Sequence, residues 1–167
     1  MKAMTKDEQF LEIAATFVNS PYIWGGKGSH IFKADELKMM PNLFAPSWPT
    51  VFDCSGLVTF CLKLIQASKT LDLPDMRGTH SAKTILDTFP LVTAPQTGNL
   101  LLYPQHVAIY VGPEWVLDAN RGTSSIHTPQ EARAKDASVQ LHFNRRPDST
   151  LLGCRRIPLD KTELRAI

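Results

Sequence analysis

The pattern of apolar and polar positions predicts an unusually apolar helix in the first half of the chain. Between residues 57 and 66 the polar residues are Thr59, Lys63 and Gln66, which share one stripe of a helix because they are spaced by four and three positions. Such a helix would be buried. Asp53 is a good N-cap, so Cys54 would be the first helical residue. There the positive end of the helix macrodipole favours an anion such as a thiolate.

Other segments predict two more helices, followed by a series of short strands. A capping box at 5–8 opens a helical pattern that stops at 19–21, and a second pattern, with Thr79 as its cap, reaches Pro90. From residue 100 the pattern changes to β segments, at 100–103, 107–111, 115–119, 139–143 and 151–157. This order indicates an α+β fold, with an antiparallel sheet packed on the helix that carries Cys54.

Composition and charge narrow the classes of protein. A chain of 167 residues suits one domain, 1–167, with a long insertion at about 27–51 that is typical of an ordered loop or a surface flap. The 43% hydrophobic and 20% charged residues argue against disorder and fibres. A net charge of +2 gives no basic footprint for nucleic acid. No apolar run approaches the ~20 residues of a membrane span.

The three cysteines form neither a CxxC pair nor a closed set of disulfides. We interpret Cys61 and Cys154 as core thiols, because free cysteine behaves as a small hydrophobe. The apolar segment at 10–18 is interrupted by Glu12. It therefore lacks the unbroken apolar region of a secretory signal peptide.

A hairpin predicted between residues 106 and 120 would bring three polar side chains to one face. If Val111 pairs with Trp115 across a three-residue loop, side chains of like parity share a face. His106, Asp118 and Asn120 then project together, with Asn120 opposite His106 and Asp118 diagonal to it. Either could orient the imidazole. With a nucleophile at a helix start, this set would form a generalised catalytic triad.

Each of these residues alone has an ordinary structural explanation, and the remaining polar candidates are weaker. A zinc site made of Cys54, His106 and Asp118 would have no dedicated fourth ligand, so neither a metal nor another cofactor is predicted. The arginine pairs at 145–146 and 155–156 are interpreted as solvated faces. The other histidines are interpreted as solvated or packing side chains: His30, His80, His127 and His142.

Several motifs, in their order along the chain, resemble those of the NlpC/P60 cysteine peptidases. They are YIWGG at 22–26, FDCSGLV at 52–58, GNL at 98–100 and HVAIYVG at 106–112, and MRGT at 76–79 lies where that family often has a Pro-Arg-Thr segment. The resemblance runs from about Pro21 to Asn120. It implies a papain-like α+β fold and hydrolysis of amide bonds in peptidoglycan stem peptides, typically between D-glutamate and a diamino acid.

The same resemblance assigns roles to individual residues. Cys54 matches the nucleophile, His106 matches the general base, and Asp118 falls where the family commonly has a histidine. Tyr22 matches a tyrosine that lines the site. Asp53 and Ser55 match positions that help to bind the peptide, and Asn120 on the hairpin is added to these substrate-binding candidates.

Two alternative functions stay open. Transglutaminases and arylamine acetyltransferases also use Cys, His and Asp in this chain order, so the protein could be an acyltransferase. A catalytically inactive cell-wall-binding module would result if the insertion filled the cleft. As a hydrolase, we expect a phage-type lytic enzyme or a secreted antibacterial effector, with an immunity or inhibitor protein as a candidate partner. It would be synthesised in the cytoplasm without a classical signal peptide and reach the cell wall in the periplasm by another route.

Overall fold

The computed structural model describes residues 3–28, 50–67, 81–158 and 160–164. The helices are α1 (Lys6–Ala15), α2 (Cys54–Ala67), α3 (Ala82–Thr88) and α4 (Pro129–Ala134). The strands are β1 (Leu91–Val92), β2 (Leu100–Tyr103), β3 (His106–Gly112), β4 (Trp115–Asn120), β5 (Ser138–Phe143) and β6 (Gly153–Arg155). Within these residues, no helix has the length and apolar character that crossing a bilayer requires.

Helix α2 begins where the sequence predicts. The Oδ1 atom of Asp53 accepts a hydrogen bond from the backbone N–H of Gly56 at 2.6 Å, which is the N-cap arrangement that makes Cys54 the first helical residue. The polar stripe of α2 is narrower than the sequence predicts. Thr59 is buried and its hydroxyl donates to the backbone oxygen of Ser55 at 3.0 Å, so this polar side chain needs no contact with water.

The strands form one sheet in the order β1-β6-β2-β3-β4-β5, and each neighbouring pair is antiparallel. Helix α2 packs against β3 and β4. Side chains from the helix and from one side of these strands share a single core cluster, which includes Leu57, Leu62, Val107, Ile109 and Leu117. The predicted α+β fold, with the sheet on the helix that carries Cys54, is confirmed.

The β3–β4 hairpin keeps the predicted register in its body but not at its end. Ile109 pairs with Leu117 and Tyr110 with Val116, whereas Gly112, not Val111, pairs with Trp115. The predicted pair between Val111 and Trp115 is therefore wrong. A two-residue turn closes the hairpin, and a bulge between Tyr110 and Gly112 takes up the extra residue. Because the bulge takes up the extra residue, His106 and Asp118 remain on the same side of the hairpin.

Several boundaries differ from the prediction. The cap of α3 is Ser81, whose Oγ accepts from the backbone N–H of Thr84 at 3.1 Å, whereas Thr79 lies outside the described residues, as does most of the insertion at 27–51. Helix α1 ends at Ala15, earlier than expected. The strand expected at 151–157 shortens to β6. Strand β1 and helix α4 were not predicted, although the capping box of α4 at 128–131 is a readable signal.

Candidate active site

Cys54 lies at the start of α2, where two cavities meet. Both cavities are lined by Cys54 together with Tyr22, Trp24 and Gln105. The Sγ atom lies 3.8 Å from the carbonyl oxygen of Gln105, and the thiol contacts the ring of His106. As the first residue of a helix, Cys54 has a backbone N–H with no acceptor inside the helix. A nucleophile, an imidazole and a backbone donor therefore face the same open space.

His106 is oriented by Asp118. The Nε2 atom of His106 lies 2.6 Å from Oδ2 of Asp118, and the side chain of Asp118 is 1% exposed. Asn120 instead donates its Nδ2–H to the side-chain oxygen of Gln140 at 3.2 Å. Of the two orienting groups left open by the sequence, the structure places Asp118 on the ring. Nδ1 is then the ring nitrogen that remains for the thiol.

The surroundings of His106 favour its protonated form. Burial by itself would lower the pKa of His106, but the hydrogen bonds to Asp118 and Cys54, together with the charges of these two groups, outweigh burial and leave the pKa raised. An imidazolium held beside a thiol is the partner that a thiolate requires.

Asp118 has two further partners that the sequence analysis placed elsewhere. Nε2 of His142 lies 2.7 Å from Oδ1 of Asp118, and Arg146 donates to Oδ2 at 3.0 Å. The interpretation of Arg146 as part of a solvated face is therefore wrong, and His142, interpreted as a solvated or packing side chain, is a partner of Asp118. Burial would raise the pKa of Asp118, but the hydrogen bonds from His106 and His142 and the charges of His106 and Arg146 hold it well below its usual range.

Arg146 also approaches the imidazole directly. One of its guanidinium nitrogens lies 2.9 Å from Nε2 of His106. His106 and Arg146 both donate to Asp118, so Nε2 of His106 and the guanidinium nitrogen both carry hydrogen. The contact between these two nitrogens is therefore not a hydrogen bond. The guanidinium carbon also lies 5.3 Å from the centroid of the Tyr103 ring. A positive charge is thus fixed next to the ring of His106.

On the other side of the thiol, Lys27 binds the N-cap carboxylate. Its Nζ lies 2.9 Å from both carboxylate oxygens of Asp53 and 2.9 Å from Oγ of Ser55. Asp53 and Ser55, predicted to bind peptide, line the cavity beside Cys54, but both already have an internal cationic partner. Sequence reasoning missed Lys27, although it directly follows the glycine pair of the YIWGG motif at 22–26.

Tyr22 lies in the wall between the two cavities. Its ring packs on Gly122, where an added Cβ would come within 2.1 Å of the ring, so a larger residue at position 122 would displace Tyr22. Burial, followed by the charges of Cys54 and Asp53, raises the pKa of the Tyr22 hydroxyl. The hydroxyl therefore stays protonated and can act as a donor.

The two cavities differ in chemistry. The one on the His106 side is about 470 Å³ and is lined by polar groups that include Asn120, Arg121 and Arg146, with no carboxylate among its described lining residues. The one on the Asp53 side is about 640 Å³ and includes the apolar side chains of Leu86 and Leu152. Together they form an open cleft with the thiol at its centre.

If the alternation of side chains had been followed from β4 to β5, the sequence would have placed His142 on the same side of the sheet as Asp118. Strand β5 pairs with β4 so that Val116 faces His142 and Asp118 faces Gln140. Even-numbered residues of β5 therefore share a side with Asp118. The position of Arg146 follows no such rule, because it lies in the irregular segment after β5.

Comparisons with known proteins agree with this fold. A curated relative, "Dipeptidyl-peptidase 6" of Lysinibacillus sphaericus, is 26% identical over 124 residues, which are 72% of this chain and 35% of the relative. NlpC1 of Trichomonas vaginalis superposes with a TM-score of 0.60 at 15% identity, over 94% of this chain and 46% of that one. The peptidoglycan hydrolase RipB of Mycobacterium tuberculosis gives 0.52 at 22% identity, over 90% of this chain and 64% of that one.

This chain therefore spans about a third to two thirds of these relatives. The structural neighbours share the papain-like NlpC/P60 fold. The model of the NlpC/P60 family matches residues 19–142, a range that contains Cys54, His106 and Asp118. The chain thus belongs to the NlpC/P60 family.

Proposed function

We propose that this protein is a cysteine peptidase that hydrolyses an amide bond in peptidoglycan stem peptides, between D-glutamate and the diamino acid. The observation that carries the proposal is the chain of contacts from Cys54 to His106 to the buried Asp118, in a cleft open to solvent. This is the arrangement in which a thiol is activated by a base that a third group orients.

The geometry suggests a sequence of steps. Cys54 transfers its proton to His106, and the thiolate attacks the amide carbonyl carbon. The backbone N–H of Cys54 and the hydroxyl of Tyr22 donate to the oxygen that becomes negative. Protonated His106 then gives its proton to the leaving amine. Water, deprotonated by His106, cleaves the thioester, which releases the acid and restores the thiol.

The substrate class is supported by the charges of the cleft and by a relative. Peptidoglycan stem peptides carry free carboxylates, and the cavity on the His106 side presents Arg121 and Arg146 without a carboxylate among its described lining residues. RipB is described as a peptidoglycan hydrolase. A substrate that brings negative charge to this side of the thiol would be attracted and not repelled.

Digestion of purified peptidoglycan tests the proposal. We expect new muropeptide ends whose masses identify the D-glutamate to diamino acid bond, and no such ends with Cys54→Ala or His106→Ala. A covalent adduct of Cys54 with a thiol-directed electrophile near neutral pH should form rapidly in the unmodified protein and slowly in His106→Ala. If Cys54 forms the adduct normally but no peptidoglycan yields new ends, the proposed substrate is wrong, and the assignment of Cys54 as the nucleophile stands.

The same digestion separates the alternatives. An acyltransferase, the second candidate because Asp118 occupies the third position, would join the acyl group to an added amine and release no free acid. A cell-wall-binding module would sediment with peptidoglycan without cleaving it. The insertion that would have to fill the cleft in that case lies mainly outside the described residues.

Delivery to the cell wall is part of the proposal. We infer a phage-type lytic enzyme or an antibacterial effector that acts in the periplasm and is countered by an immunity or inhibitor protein. Expression in a Gram-negative host should be tolerated in the cytoplasm and should cause lysis when a leader peptide directs the protein to the periplasm. Tolerance in both compartments, with active protein present, would contradict this role.

A further inference from the structure

The carboxylate of Asp118 is contacted on both of its oxygens, and only one oxygen is used by His106. Oδ2 accepts from His106 and Arg146, whereas Oδ1 is contacted by Nε2 of His142 at 2.7 Å. With its side chain 1% exposed, Asp118 cannot replace a lost partner by water without rearrangement. The group on Oδ1 therefore takes part in fixing the plane of the carboxylate.

The hydrogen-bond partners of His142 determine its protons. Its Nδ1 lies 3.0 Å from the backbone carbonyl oxygen of Phe143, and its Nε2 lies 2.7 Å from Oδ1 of Asp118. An ionised carboxylate can only accept, so the shorter of these contacts requires a hydrogen on Nε2. His142 is therefore a donor to Asp118 through Nε2.

His142 is also held by the sheet. It lies on β5, where it pairs with Val116 of β4, two residues before Asp118. Its side chain is 22% exposed, so it is fixed between the strand and the carboxylate yet reached by solvent protons. A rigid element that presents a donor orients an acceptor more accurately than a loop does.

We propose that His142 is a positioning residue of this active site: an imidazole whose Nε2–H holds Oδ1 of Asp118 and thereby directs Oδ2 to Nε2 of His106. The inference rests on the proposed function, since it assigns Asp118 a role in activating the thiol. His142 touches neither Cys54 nor the reacting carbonyl. Its effect on the thiol is indirect: His142 hydrogen-bonds to Asp118, and Asp118 hydrogen-bonds to His106.

The charged groups that face His142 come from several elements. Asp118 on β4 is the anion, and through it His106 on β3 is coupled to the ring. Arg121 after β4, and Arg145 and Arg146 after β5, line the cavity beside His142. The three arginines can only donate, so among these groups Asp118 is the acceptor for the ring of His142.

The test measures alkylation of Cys54 by iodoacetamide as a function of pH, which requires no substrate. His142→Leu, which removes the donor, should slow alkylation near neutral pH by about 10- to 100-fold, the loss expected for a charge-assisted hydrogen bond. It should also move the pH midpoint of the reaction. His142→Gln keeps a donor toward Asp118 and should recover part of the rate. His127→Gln, at an exposed histidine, is the matched control and should behave as the unmodified protein.

A second measurement is independent of any variant. Nitrogen-15 spectra of the histidine rings should show that Nε2 of His142 carries hydrogen. An Nε2 atom without hydrogen, or a His142→Leu protein with an unchanged alkylation profile, would overturn the proposal. Slower alkylation in His142→Leu, together with no peptidoglycan cleavage by the unmodified protein, would instead contradict the proposed substrate and leave this inference standing.

Discussion

The two sides of the cleft are each built around a buried aspartate that meets cations, but the two aspartates are held in different ways. Asp53 is bound by the N–H of Gly56, three positions away, and by the single cation of Lys27, 26 positions away. Asp118 is bound by His106, His142 and Arg146, which are 12, 24 and 28 positions away. The first is a helix cap with a counterion, and the second exists only when three segments of chain have come together.

This difference teaches that the two sides serve different purposes. A cap is local: it fixes where α2 starts and hence where the thiol stands. The Asp118 cluster is assembled by the sheet, so its geometry depends on strand register. We expect substitutions on the Asp53 side to act mainly on stability, and those on the Asp118 side mainly on reactivity.

The strongest contrast should come from removing each negative charge. Asp118→Asn should lower kcat/KM by about 10³- to 10⁴-fold, a loss typical of a triad whose third member can no longer hold the base in its orientation. Asp53→Asn keeps an oxygen for the N–H of Gly56 and should cost much less activity. Steady-state kinetics on a soluble muropeptide measures both. Equal losses of kcat/KM would contradict the separation of roles.

Removing the cation on the Asp53 side should affect folding. Lys27→Met leaves the carboxylate of Asp53, 12% exposed, without its counterion, and should reduce the free energy of unfolding by about 1.5–3 kcal/mol. Lys83→Met is the matched control, because the Lys83–Asp87 pair is exposed at 81% and 41% and should cost only about 0.3–0.5 kcal/mol. Urea denaturation compares the two. A loss as small as that of the control would show that Asp53 needs no counterion.

Substitution of Arg146, on the Asp118 side, should change both the stability of the fold and the reactivity of Cys54. Arg146→Gln loses a charged hydrogen bond to Oδ2, and should cost about 1–2 kcal/mol of unfolding free energy. Because a cation next to His106 is removed, the pKa of His106 should rise. The pH midpoint of Cys54 alkylation reports this shift. Arg145 is an adjacent exposed arginine, and Arg145→Gln should leave this pH midpoint unchanged. A shift of equal size in Arg145→Gln would show that the change in net charge alone causes the effect.

The smallest expected effect is the pH dependence of stability. The pKa of His106 is raised in the folded protein, so its ion pair stabilises fully below the ordinary histidine pKa of about 6.5 and is lost as pH rises through the folded value. The unfolding free energy of the unmodified protein, relative to His106→Gln, should therefore be larger near about pH 5.5 than near about pH 8. Asp118 stays ionised across this range because its pKa is lowered. An opposite trend would mean that burial outweighs the hydrogen bonds.

Local patterns predicted most of the fold. The start of α2 at Cys54 follows from a capping residue and an apolar run, and the β3–β4 register follows from alternation. The cap of α3 could not be separated from a nearby alternative, since Thr79 and Ser81 are both good caps. The two-residue β1 carries too little pattern to be recognised.

The candidate site was predictable to the extent that its members share one hairpin or one motif. Cys54, His106 and Asp118 were found in this way. His142 and Arg146 were missed because their partner is more than twenty positions away, and side chains that far apart meet only through the arrangement of whole strands. No spacing rule within a single segment describes such a contact.

The position of β5 has a consequence for how the protein loses activity. The strand lies at one edge of the sheet. Residues 19–22 hydrogen-bond to residues 137–139, at and just before its start, and His142 lies beyond them. Outer strands open more easily than central ones. Fraying of the last residues of β5 would free Asp118 while the core around α2 stays intact. On heating, the protein should therefore lose the proposed activity at a lower temperature than the one at which it unfolds.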